Sequence, residues 1–132
     1  MALIERKDYT DWLKRYRDKK IIKVITGLRR VGKSTIFELY IAQLLKEGVA
    51  PEQIIKINFE ELENEPLLDR RALYRFLSSR LLPDRKLYIF LDEVQRVPEF
   101  EKVVDSLFVK DNVDLYITGS NAKFLSSEIA TL

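Results

Sequence analysis

A chain of 132 residues has room for one domain, and 46% hydrophobic with 33% charged residues is globular composition, far from disorder or collagen-like repeats. Cysteine and histidine are both absent, which excludes disulfides, thiolate or imidazole metal sites, cysteine nucleophiles and any Ser-His-Asp triad. The net charge of +2 exerts no global pull toward nucleic acid, yet Lys14, Arg15, Arg17, Lys19, Lys20, Lys23, Arg29, Arg30 and Lys33 stand against Asp18 alone. Such a stretch either attracts phosphates or is a solvated face followed by a loop. The opening MALIERK has no apolar signal core, and Leu87 to Leu91 is too short to cross a bilayer, so a cytoplasmic protein without a membrane partner is expected.

In chain order, residues 8–18 fit a short amphipathic helix with Tyr9, Trp12, Leu13 and Tyr16 on one face. Ile21 to Thr26 is a β-branched strand that stops at Gly27. Ser34 to Lys46 has helical spacing, with Gly48 suited to a left-handed cap. Gln53 to Phe59 predicts a second strand, and Pro66 fits the first position of a helix running to about Leu82. Leu87 to Leu91 has the unbroken apolar pattern of a strand covered on both faces. Pro98 is expected to open another helix, Val113 to Thr118 a fourth strand, and Asn121 to Leu132 a further helix without a stop signal. Strands alternating with helices predict a three-layer αβα sandwich with a mainly parallel sheet.

Gly27-Leu28-Arg29-Arg30-Val31-Gly32-Lys33-Ser34 fits G-x-x-x-x-G-K-[ST], the P-loop pattern. The order has a physical reason. A strand delivers the loop, glycines let the backbone curl so that successive N–H groups point inward, and the following helix aims its positive end at the same spot. Lys33 is then placed to reach the β- and γ-phosphates, Ser34 to ligate Mg²⁺, and Thr35 to help hold the α- or β-phosphate. For Arg29 and Arg30 three placements stay open: on phosphate, toward a partner subunit, or in solvent.

Leu87-Tyr88-Ile89-Phe90-Leu91-Asp92-Glu93 is an apolar strand ending in two carboxylates, the Walker B arrangement. Two acids at the end of a buried strand repel one another unless a cation or water is present. Asp92 is the candidate to orient the Mg²⁺ shell, and Glu93 to polarise an attacking water, a role open to a carboxylate in a chain without histidine. The fourth strand runs out through Thr118 and Gly119 into Ser120 and Asn121, which can place a hydrogen-bond donor beside a γ-phosphate or simply cap a helix.

These segments together resemble the AAA+ ATPases, and within them the prokaryotic AAA-domain family whose members carry an additional C-terminal domain. The likeness rests on ITGLRRVGKST, INFEE, IFLDEVQRVPEFEKVVDSLF and ITGSNAKFLS, and runs from about Arg6 to the end of the chain. The resemblance implies one partial nucleotide-binding domain over residues 1–132, with 1–20 a helical lead-in and 21–132 the core. It implies ATP and Mg²⁺ as cofactors and hydrolysis of the β–γ phosphoanhydride, with Asn121 as the sensing amide and Ser120 as its neighbour. It also implies an adenine pocket partly supplied by Ile4 or Tyr9, and homo-oligomers of the full-length module. A fifth core strand, an arginine finger and a helical lid are expected to lie beyond this chain, so weak turnover is expected. The alternative is a non-enzymatic, nucleotide-gated module that recruits DNA or a protein partner; a small-molecule phosphotransferase lacks any declared acceptor pocket.

Overall fold

The computed structural model describes residues 6–25, 31–119 and 129–131, with side chains described for 8–25 and 35–119. Among the described residues, five parallel strands form one sheet in the order β2-β3-β4-β1-β5. They are β1 (Ile22–Ile25), β2 (Ile54–Asn58), β3 (Leu87–Asp92), β4 (Val113–Thr118) and β5 (Ile129–Thr131). Helices α1 (Arg6–Arg15) and α2 (Val31–Lys46) cover one face, and α3 (Arg70–Ser79) and α4 (Phe100–Phe108) the other. This is the expected three-layer sandwich.

Alternation along the buried strands decides which side chain meets which layer. Leu87, Ile89 and Leu91 join Leu73, Leu77, Val104 and Leu107 of α3 and α4. Tyr88 and Phe90 turn the other way, onto Phe37, Tyr40 and Leu44 of α2 and Leu13 of α1. Phe90 stacks on Tyr116 with ring centroids 4.5 Å apart and meets Phe37 edge-on at 5.1 Å. By the same parity Asp92 and Thr118 lie on the α2 side.

Four expectations need correction. The helix assigned from Pro66 starts at Arg70, and 62–68 is 3-10 helix with Pro66 inside it. Asp69 wins as N-cap because its carboxylate accepts from the Ala72 N–H at 3.2 Å, a bond Pro66 cannot organise from the preceding turn. Helix α4 starts at Phe100 instead of Pro98, with Glu99 as its N-cap at φ 59°; that carboxylate bridges Arg70 at 3.0 Å and Lys102 at 3.1 Å. The helix expected to reach Leu132 is contradicted over Ile129–Thr131, which pair with β1 in the register Ile22↔Ile129 and Val24↔Thr131. A fifth strand is therefore present in this chain, because the otherwise open edge of β1 is a stronger attractor for a β-branched segment than helix propensity. Finally, the basic stretch does not form a single open face. Arg17 and Lys14 bind Glu47 at 2.8 and 3.6 Å, Lys20 lies over the Phe108 ring at 5.0 Å, and Lys23 is fully buried.

Lys23 is ion-paired with Asp114 across β1 and β4. Asp114 also accepts from the Asp18 N–H at 2.9 Å and the Tyr116 hydroxyl at 2.7 Å. Tyr88 donates to Asp18 at 3.0 Å, which fixes the turn between α1 and β1 on the sheet. The buried pair is thus embedded in hydrogen bonds, the condition under which such a pair is tolerated. Among the described residues no helix is long and apolar enough to cross a membrane.

Candidate nucleotide site at the carboxyl edge of the sheet

The strand registers align one row of residues at the carboxyl ends. Asn58 faces Asp92, Leu91 faces Ile117, and Ile25 faces Thr118. Strand β1 ends at Ile25, and α2 opens at Val31 on the Asp92 side of the sheet. The strand order reverses here as well: the chain leaves β1 beside β4 and returns as β2 at the far edge. Crevices at such switch points are where open parallel sheets bind ligands.

Asp92 is 2% exposed. Its Oδ1 accepts from the Thr118 hydroxyl at 2.5 Å, and the same hydroxyl oxygen accepts from the Glu93 N–H at 2.8 Å. One threonine thereby orients the first acid and anchors the main chain of the second. Glu93 has φ 59° and ψ 48°, a left-handed conformation that a non-glycine residue adopts at a cost of about 1 kcal/mol or more. It turns the chain sharply out of β3 into a 3-10 turn over Val94–Arg96. Val94 and Val97 anchor that turn in the core at 1% and 0% exposure. The Glu93 carboxylate accepts from the Gln95 side-chain amide at 2.8 Å.

Of the residues singled out from sequence, Asp92 is the last residue of β3 and Glu93 the one after it. Thr35 lies half-buried in α2. Val31, Gly32, Lys33 and Ser34 form the first turn of α2 by backbone, their side chains lying outside the described residues. Gly27, Leu28, Arg29 and Arg30 lie outside the described residues, as do Ser120, Asn121 and Ile4. Tyr9 is 8% exposed and belongs to the core cluster between α1, α2 and the sheet. Thr118, which holds both Asp92 and the Glu93 N–H, is the residue that sequence reasoning passed over. Its signal was available: a hydroxyl at the last position of a buried strand has to find a partner. Its neighbour Gly119 is explained by crowding, because a Cβ there would stand 2.6 Å from Gln95 Oε1.

The first N–H groups of an α-helix have no intrahelical partner, and α2, with 16 residues, begins here with the positive end of its dipole. A parallel sheet, a helix N-terminus beside a strand end, and two acids on the adjoining strand define a P-loop nucleotide-binding fold. Residues 19–132 match the AAA domain family, and the chain belongs to it. This is an AAA-type P-loop ATPase family, and its domains bind nucleotide. An uncharacterised protein of Haemophilus influenzae is 39% identical over 99% of this chain, and one of Methanocaldococcus jannaschii is 36% identical over 83%. The chain spans only 33% and 23% of those two relatives. Among solved structures, the Drosophila origin recognition complex bound to AT-rich DNA and Cdc6 contains a chain similar to this one at TM-score 0.62. Sequence identity there is 13%, covering 92% of this chain and 49% of that one. Caenorhabditis elegans PCH-2 is similar at TM-score 0.56 and 16% identity, over 87% of this chain and 37% of that one.

Proposed function

We propose that this domain binds ATP with Mg²⁺ at the carboxyl edge of its sheet, and that Glu93 orients the water that cleaves the β–γ phosphoanhydride. The observation that carries this reading is the Asp92–Thr118–Glu93 arrangement. It sets one buried, pinned carboxylate and one partly buried carboxylate at the end of the strand that lies two places from β1, which leads into GLRRVGKS. A structural ion pair or cap does not need two adjacent acids.

The donor set fits a hard cation. Asp92 is nearly sealed from water, and the one hydrogen-bond partner of its carboxylate among the described residues is Thr118. A carboxylate has acceptor capacity for several more donors, so burial here is compensated by a hydrated cation. Mg²⁺ in nucleotide sites is held by one or two protein groups, with phosphates and waters supplying the rest. Asp92 and Ser34 would hold Mg²⁺, which when bound neutralises charge on the β- and γ-phosphate oxygens. Lys33 and the amides of the first α2 turn hold the phosphates, with Thr35 beside them, and Ser120 and Asn121 report on the γ-phosphate. Arg29 and Arg30 retain their three alternatives.

The test is equilibrium binding of a fluorescent ATP analogue, with and without Mg²⁺, beside Lys33→Ala. Micromolar binding that needs Mg²⁺ and disappears in the variant is expected. Binding indifferent to both changes overturns the reading. Hydrolysis by this chain alone is expected to stay below about 1 s⁻¹, the low end of typical enzymes.

A further inference from the structure

Glu93 has a long side chain, and a glutamate that must aim one carboxylate oxygen at a water gains from a partner that restricts it. We propose that Gln95 is that positioning residue: its side-chain amide clamps the Glu93 carboxylate, and Gly119 keeps the space the clamp occupies. The inference rests on the reading of Glu93 given above.

Three features support it. Gln95 Nε2 donates to Glu93 Oε1 at 2.8 Å, and the turn carrying Gln95 is held on both sides by fully buried valines. The donor is therefore fixed in place relative to β3. Second, the other end of the same amide, Oε1, is buried and has no partner among the described residues. Turning the amide over would not cure this in place, because it would set Oε1 against the Glu93 carboxylate, oxygen against oxygen. The amide thus accepts an orphaned oxygen in order to keep its N–H on Glu93. A side chain retained only for packing has no such need; methionine fills the same volume with no orphan. Third, Gly119 leaves room for Gln95 Oε1 where any other residue would put a Cβ at 2.6 Å. No positive φ demands glycine at this position, so the requirement is spatial. The atom it accommodates is the far end of a flexible side chain. Alanine at 119 therefore displaces the clamp at little cost to the fold.

The experiment measures conversion of bound ATP to ADP in single turnover, with the affinity for ATP determined in parallel, for the parent chain, Gln95→Met, Gly119→Ala and Glu93→Gln. We expect both Gln95→Met and Gly119→Ala to slow conversion on the order of 10-fold to 100-fold, the scale of a misaimed catalytic group. ATP affinity should stay within about twofold of the parent, since neither residue is assigned to the phosphates, and Glu93→Gln should abolish conversion. Gln95→Met converting at the parent rate while Glu93→Gln is inactive overturns the clamp and leaves Glu93 standing. Loss of ATP affinity and thermal stability together with rate in Gln95→Met also overturns it, in favour of a structural role. Glu93→Gln converting as fast as the parent, or a parent that converts nothing, overturns the underlying reading of Glu93 instead.

Discussion

At the scale of single residues, the site depends on a hydroxyl more than its sequence suggests. Thr118 Oγ1 donates to Asp92 and accepts from the Glu93 N–H, so Thr118→Val strands a buried carboxylate oxygen and a backbone donor at once. Leaving such groups unpaired costs about 1–3 kcal/mol, which denaturant unfolding can resolve. Thr118→Ser should retain most of the stability, because it keeps the oxygen and loses only a methyl. A Thr118→Val cost under about 0.5 kcal/mol, the range of surface changes, would mean that the hydroxyl is not holding either group. Asp92 and Glu93 were legible in the sequence because two acids directly after LYIFL stand in one chain with GLRRVGKS. Thr118 was not, since one hydroxyl in a strand reveals its partner only when β3 and β4 are set side by side.

At the scale of elements, β1 and β4 each carry a charge where a parallel strand is ordinarily apolar. Lys23 and Asp114 are both buried, and burial lowers the Lys23 ammonium below its ordinary pKa while Asp114 opposes the shift. Lys23→Met removes one partner and leaves the other charge inside; breaking such a pair costs about 3–5 kcal/mol. The double variant Lys23→Met with Asp114→Leu should cost less than the sum of the two single losses. Strict additivity in unfolding experiments would show that the two side chains are not coupled. Read along the chain, Lys23 looks like one more member of a basic run. Only the pairing of β1 with β4 shows it to be an internal residue.

For the whole molecule, the buried hydroxyls set an alkaline limit. Desolvation raises Tyr40 from 10.0 to about 12, and burial also raises Tyr88 and Tyr116, with the nearby Asp18 and Asp114 adding to the effect. A raised folded-state pKa gives stability that is complete below the unfolded value and is lost as pH climbs toward the folded one. Lys23, shifted downward, works in the opposite direction, but it is one group against three tyrosines. The denaturant midpoint should therefore fall as pH rises from 10.0 through about 12, and less steeply in Tyr40→Phe. A midpoint flat across that window would refute the assignment of these hydroxyls as buried and protonated. Tyr40, Tyr88 and Tyr116 join α2, β3 and β4, so the loss is expected to be global.

By itself the sequence determined the layer architecture, the four longer strands, α2 with its left-handed Gly48 at φ 104°, and the acidic pair. These follow from local periodicity and motif spacing, which are written in neighbouring residues. Helix starts were legible only approximately. Pro66 and Pro98 signal initiation, but Asp69 caps α3 through the Ala72 N–H, and α4 begins after Glu99, which pairs with Arg70 and Lys102. The fifth strand, the sealed Lys23–Asp114 pair and the role of Thr118 were decided by tertiary structure. Each depends on which strand lies beside which, and strand order is a non-local quantity that periodicity does not carry. The same holds for Gln95 and Gly119, 24 positions apart by their numbers, whose relation exists only once the ends of β3 and β4 meet.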